Sequence, residues 1–313
     1  MFGTLIRHGA AALLFLALLT IIEIRPVSAE VALAVGTTAR GVARDGIAIG
    51  YAALRGEEEL SRKQALGYCQ SLRTAPVAAR SCRIVKTLPQ GCAAMALDPK
   101  PGSPGAGWSL AEDIDEAVDE AVGRCRDSSP RSRRGACKLM SLACEFDDHE
   151  RTIAALTRAI ALQPDTAAHY QSRGIANVYD GRFQAAAEDF DRVAALEKKT
   201  STSIALMRHI ARGRSGDEEA KADLEKRLKK LKDKSWPFAA VEFFAGKRDA
   251  DELLKAAAKP EEICEAHYYI GVWNLMRGDP ERAAMSLYAV TGSCPKHHVV
   301  HPAAAGELQR MGR

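Results

Sequence analysis

The chain has 313 residues, a formal net charge of +4, 47% hydrophobic and 27% charged residues, and eight cysteines. A charge this close to neutral does not supply the concentrated basic face that nucleic-acid binding needs. The one basic run, Lys221 to Lys234, interleaves Glu225 and Asp233 among its lysines and reads as the solvated face of a helix.

The N-terminus carries Arg7, an apolar run from Ala10 to Ile22, and a polar stretch ending Val27-Ser28-Ala29. The run falls short of the roughly 18–20 apolar residues of a bilayer span, and small residues at −3 and −1 of a break after Ala29 suit signal peptidase. Residues 1–29 are therefore expected to be a secretory signal, with the mature chain starting at Glu30. An uncleaved anchor is the rival, opposed by Glu23 and Arg25, which interrupt the apolar stretch. No later segment is a membrane candidate, and no cysteine at the cleavage point suggests a lipoprotein. Loss of Arg7, Arg25 and Glu23 moves the charge from +4 to +3.

Residues 30–146 are expected to form a duplicated α+β domain. Gly50-Tyr51, a helical segment Glu57–Gln70 ending in Cys69, the run Cys82–Val85 and then Cys92 make one unit. Gly107-Trp108, a helical segment Ala111–Arg124 ending at Cys125, the run Cys137–Met140 and then Cys144 repeat the order. The spacing from aromatic residue to first cysteine is 18 against 17, and the next gap is 13 against 12. Such agreement argues for an internal repeat. Each unit reads as strand, helix, strand in an antiparallel sheet. The strands are Val31–Val35, Gly46–Ala52, Cys82–Thr87 and Cys137–Cys144, and the loop Pro99–Gly105 is expected to join the units. In the second helix Ser109 is the expected N-cap, with Glu112 as its capping-box partner.

An even cysteine count in an exported chain favours disulfides, and no C-x-x-C pair points to zinc. A helix ending in a cysteine, followed a dozen residues later by a strand beginning with one, predicts Cys69–Cys82 and Cys125–Cys137. Cys92 and Cys144 are left to join the two units. With its G-[WY] strand, cysteine-ended helix and C-[RK]-[IL]-[VM] strand, this half resembles an uncharacterised family of small exported bacterial domains, which implies no known activity.

From His149 the strand signals stop, and residues 147–311 are expected to be an all-α tetratricopeptide (TPR) solenoid. Tyr170, Gly174, Gly181, Phe183, Ala186 and Phe190 occupy signature positions of a TPR helix pair. A 34-residue step back reaches Thr152, Leu156 and Pro164; a step forward reaches Ile204, Met207, Ala220 and Leu224. A last copy holds Ile270, Gly271, Gly278, Ala283, Leu287 and Pro295, after a shortened pair at Phe238–Ala245 and Asp251–Ala258. Stacked pairs make a superhelix whose first helices line a concave groove. His169, Ser172, Arg173, Asn177, Arg208, His267, Tyr268 and Asn274 are the expected groove residues. Cys264 opens one helix and Cys294 ends its mate, which predicts a fourth disulfide.

The string Cys264-Glu265-Ala266-His267-Tyr268-Tyr269-Ile270-Gly271 and the flanking Trp236-Pro237 and Gly278-Asp279 resemble the terminal repeats of NlpI-like TPR adaptors of the bacterial envelope. The resemblance implies a non-catalytic scaffold for envelope proteases or peptidoglycan hydrolases. The expected function is thus a periplasmic or secreted protein-binding adaptor, with no cofactor, metal or nucleic acid. The alternative is an inhibitor or regulator of a secreted or cell-wall hydrolase acting through the N-terminal domain. His297, His298 and His301 near Cys294 suggest a metal site, yet no acidic residue lies between them and an oxidised Cys294 cannot ligate. Carboxylates are plentiful, but none sits on the apolar background that would raise its pKa for glycan hydrolysis.

Overall fold

The computed structural model describes residues 29–37, 47–55, 58–73, 75–100, 103–146, 148–197, 201–296 and 298–313. Of the expected leader only Ala29 falls among them, as the first residue of a strand. The first unit comprises β1 (Ala29–Gly36), β2 (Ala48–Arg55), α1 (Glu58–Gln70), the short α2 (Pro76–Ala79) and β3 (Arg83–Leu88), with an antiparallel sheet ordered β2-β1-β3. The second comprises β4 (Gly91–Leu97), β5 (Ala106–Ala111), α3 (Ile114–Ser128), a 3-10 turn at Arg131–Ala136 and β6 (Lys138–Glu145), ordered β5-β4-β6. Each unit is thus strand, strand, helix, strand.

Residue size decides the layering. Successive strand side chains point to opposite faces. In β1 the large residues Val31, Leu33 and Val35 face the second sheet, meeting Ala93 and Leu110, while Ala32 and Ala34 face Ala65 and Cys69 of α1. In β4 Ala94 and Ala96 likewise face Ala117 and Ala121 of α3. The two sheets therefore pack face to face, and each carries its helix on the outside. Equivalent glycines permit this. A Cβ on Gly50 would lie 2.1 Å from the Ala65 carbonyl oxygen, and one on Gly107 2.0 Å from that of Ala121. Gly50 pairs with Ala34 and Gly107 with Ala96, and the register slips at those same places, Leu33/Ala34 and Met95/Ala96.

Three expectations need correction. β4 was not foreseen, because Gly-Cys-Ala-Ala-Met-Ala-Leu is buried on both faces and lacks the polar alternation of a half-exposed strand. Since β4 precedes β5, the loop Pro99–Gly105 is a hairpin connection inside the second unit, and Pro89-Gln90 joins the units. Ser109 does not cap α3: β5 runs on to Ala111, Ser109 is buried within it and donates to Glu120, and the N-cap is Asp113, which accepts from the Glu116 amide at 3.0 Å.

Cys69–Cys82 and Cys125–Cys137 each tie a helix end to the following strand, as the spacing predicts. Cys92–Cys144, by contrast, does not join the units. The two residues are register partners on β4 and β6 of one sheet, with Cα atoms 4.0 Å apart. Arg133 of the 3-10 turn holds the hairpin by donating twice to Asp98, both at 2.6 Å, and Ser103 donates to the same carboxylate.

α4 (His149–Leu162), capped by Asp148, adds Ala155 and Ala159 to the core of the second unit; the neighbouring Asp147 lies outside the described residues. Gln163, at its end, donates to the Leu139 carbonyl at 3.0 Å. Helix pairs follow: α5 (Ala167–Asp180) with α6 (Phe183–Leu196), α7 (Thr202–Arg214) with α8 (Ala220–Leu228), the short α9 (Phe238–Phe244) with α10 (Ala250–Ala256), and α11 (Pro260–Met276) with α12 (Pro280–Ser293). A final helix, α13 (Val300–Arg310), closes the chain. Gly174 meets the Phe190 ring and Gly271 meets Leu287, the same contact in two pairs. The chain is thus an α+β part of two disulfide-bearing three-stranded sheets followed by an all-α part.

Two outcomes are expected. Gly107→Ala, whose Cβ would also lie 2.5 Å from the Cys125 amide nitrogen, destabilises by about 1–3 kcal/mol in chemical denaturation. Gly123→Ala, in α3, meets open space and stabilises by up to about 1 kcal/mol; equal effects would refute the close contact of β5 with α3. The paired guanidinium of Arg133 holds the Asp98 carboxyl well below the usual carboxylate range. As the unfolded chain takes up that proton first, the contribution of the pair is complete above about pH 4 and is lost as the pH falls below it. Arg133→Ala should flatten this part of the acid-stability profile while leaving its neutral-to-alkaline part parallel to that of the parent.

Candidate binding face of the helical array

The expected groove residues lie on α5, α7 and α11, the first helices of their pairs, and most are already engaged. His169 is buried, its Nε2 2.9 Å from the Gln163 side-chain oxygen, and burial lowers its pKa. Arg173 grips Asp189 at 2.7–3.2 Å, and the buried Asn177 donates to the same carboxylate at 3.1 Å. Arg208 is buried between Asp191 and Asp223. Asn274 donates to the Ile270 carbonyl of its own helix at 3.0 Å. Tyr268 is only 2% exposed. Five of these are buried and Arg173, though partly exposed, is held in an ion pair, so they do not line an open groove: helical spacing tells which side of a helix a residue occupies, but not what covers that side. Ser172 is exposed and His267 half-buried, so these two remain accessible.

Tyr268 is covered by α13. Val300, Ala303, Ala304, Glu307 and Leu308 form the buried face of that helix, and all but Glu307 belong to the core shared with α7, α9, α11 and α12. Glu307, 1% exposed, accepts from Arg214 of α7 at 2.7 and 3.1 Å and from Arg310 at 3.1 Å. Burial, with this carboxylate nearby, pushes the Tyr268 hydroxyl pKa up. Arg310 then donates to the Tyr179 carbonyl of α5 at 3.0 Å, a contact between residues 131 apart in sequence. Its side chain also covers Gly181, the left-handed turn residue (φ 80°) that ends α5. The Arg214 guanidinium lies 4.3 Å from the centre of the Phe183 ring. One helix therefore packs on α12, closes over Tyr268 of α11 and ties it to α7 through Arg214 and to the end of α5 through Tyr179.

Neither Glu307 nor Arg214 was among the expected site residues. The available signal was the helical recurrence of 300, 303, 304, 307 and 308 beyond the last repeat, with a glutamate among alanines on the inward face.

Other clusters are self-satisfied. A cleft of about 330 Å³ between α6 and α7 is lined by Glu188, Asp191, Arg212 and Asp217, and Arg212 pairs with Asp217. Glu265 accepts from the Trp236 indole at 2.8 Å and the Tyr269 hydroxyl at 3.3 Å, and His298 approaches it to 4.0 Å. His297 lies outside the described residues, His301 lies 3.3 Å from the Thr291 carbonyl, and Cys294 is joined to Cys264. Among the described residues no group of three or more His, Cys, Asp and Glu is placed to hold a metal, and no helix is long and apolar enough to cross a membrane.

Residues 32–144 match a family model described as a domain of unknown function (DUF4189). The match begins in β1 and ends at Cys144 in β6, so it takes in both sheets and their three disulfides. The all-α part has the paired helices and recurring glycine contacts of a helical repeat.

Cys264–Cys294 ties the start of α11 to the end of α12, closing a loop of 30 residues next to α13. A link of this kind contributes about 2–4 kcal/mol. Cys264→Ser should expose residues 262–311 to limited proteolysis while residues 32–144 stay resistant. An unchanged digestion pattern would show that the disulfide does not secure the end of the array.

Proposed function

We propose that this protein is a non-catalytic scaffold of the periplasm or extracellular space that binds an envelope protein through its helical array. The observation that carries the reading is the seat of α13: α12 and the first helices α5, α7 and α11 together accept a helix, with a charged anchor and a small-residue contact in place. The repeated Gly174–Phe190 and Gly271–Leu287 contacts support TPR-like pairs, and with them the likeness to NlpI-like adaptors. Four disulfides fit an oxidising compartment, which the expected export signal would reach. An envelope protease or peptidoglycan hydrolase is the partner that this likeness suggests.

A second reading, a hydrolase inhibitor or regulator acting through the N-terminal domain, draws on one observation. Val85 of β3 and Met140 of β6 occupy matching positions in the two units, both on edge strands, and are 40% and 50% exposed. Apolar side chains on open strand edges are suited to contact with another chain.

Photo-crosslinking residues placed in the full-length protein at Ser172, His267, Val85 and Met140 separate the two readings in intact cells. Protein adducts from Ser172 or His267 are expected. Adducts confined to Val85 and Met140 would move the binding role to the N-terminal domain, and none at any position would overturn both.

A further inference from the structure

The inward residues of α13 stand at positions 300, 303, 304, 307 and 308, the i, i+3, i+4, i+7, i+8 pattern by which a helix lies in a groove. Ala303 and Ala304, both fully buried, let the backbone come close, while Val300 and Leu308 fill the ends. Glu307 is the polar anchor, and its receptor is supplied by other helices: Arg214 from α7, and around it Tyr268 from α11 and Tyr179 from α5. The guanidinium of Arg214 is itself largely buried, with a side-chain exposure of 15%, so this seat requires a carboxylate. Only the short stretch from Cys294 to Val299 connects α13 to the helix before it.

We infer that the seat of α13 is the site for a partner's helix, and that the partner presents the same face: an apolar residue, two small residues three and four positions on, then a glutamate and an apolar residue. The inference rests on the scaffold reading above and specifies the chemistry of its partner. In the free protein α13 occupies the seat as a tethered ligand. A short tether gives it an effective concentration in the millimolar range, so a helix added in trans binds only when α13 is loosened or when the partner makes further contacts. Arg214 pairs with the partner's glutamate in place of Glu307.

The test uses the full-length oxidised protein and a fluorescent peptide of residues 298–313. Wild-type protein is expected to bind it weakly, and Glu307→Ala to bind it at least about 10-fold more tightly, as α13 loses its anchor. Glu307→Gln in the peptide, or Arg214→Ala added to the loosened protein, should remove the gain. Arg310→Ala, which cuts the tie to Tyr179 and leaves Arg214 in place, should give a smaller increase and serves if Glu307→Ala does not fold. Circular dichroism and intact disulfides check the fold. Two loosened variants that fold but fail to bind the peptide would overturn the proposal and make α13 a structural element. If Ser172 or His267 still crosslinks a partner in that case, the scaffold reading survives. Dimers of Glu307→Ala that exchange α13 would overturn it differently, assigning the seat to a second copy of this chain.

Discussion

Close approach through glycine and alanine is the constraint from which the architecture follows. At Gly50 and Gly107 the backbone of a helix lies directly on the backbone of a strand, and any side chain there would strike a carbonyl oxygen. The faces of the central strands β1 and β4 turned to the helices are accordingly mostly alanine, while Val31, Leu33, Val35 and Leu110 fill the space between the two sheets. A face of small residues removes little apolar surface from water, at about 25 cal/mol for each Å². The N-terminal part therefore has thin cores, and each has a covalent link beside it: Cys69–Cys82 next to α1, Cys125–Cys137 next to α3, and Cys92–Cys144 across the second sheet. The disulfides make up for a core that close packing keeps narrow.

The same constraint governs the helical part with larger partners. Gly174 receives the Phe190 ring and Gly271 receives Leu287, so each pair interlocks through one small and one large residue. Bigger side chains give this half a more extensive core, in which Phe238, Phe243, Phe244, Tyr268 and Tyr269 join residues of α7, α11, α12 and α13. Polar groups inside it are matched rather than absent. Arg173 with Asp189, Arg208 with Asp191 and Asp223, and Arg214 with Glu307 each bring opposite charges together across neighbouring helices. Removing one partner of such a pair costs more than the pair contributes, because the other charge stays buried. These pairs consequently fix which helices are neighbours, and Arg214–Glu307 fixes the return of α13.

Features set by short-range spacing were legible in the sequence. A helix ending in cysteine and a strand starting with one a dozen residues later brought Cys69 to Cys82 and Cys125 to Cys137. The short pair α9 and α10 was visible as an interruption of the period. Where a local signal failed, a competing element had taken the residue: Ser109 has the chemistry of an N-cap, but the hydrophobic demand for Leu110 and Ala111 kept it in a strand. The strand β4 was hidden because burial on both faces erases the alternation that marks a strand. Of the expected groove residues, Ser172 and His267 are accessible. His169, Asn177, Tyr268 and Asn274 are buried, and Arg173 and Arg208 are ion-paired, since their positions on first helices could be read but their covering elements could not.

The sequence by itself determined the division into an α+β part and an all-α part, the duplication of the first, the helix pairing of the second and the disulfides whose cysteines flank one turn of chain. Each of these rests on contacts between residues close in sequence or related by a fixed period. Only the tertiary structure decided that Cys92 and Cys144, 52 residues apart, lie in one sheet, and that Arg310 reaches Tyr179 across 131 residues. It also decided that α13 folds back over Tyr268, a residue expected to be open, and joins α7 and α5 through Arg214 and Tyr179. Such contacts depend on how completed elements stack, and no local periodicity records the neighbour that an apolar face will meet.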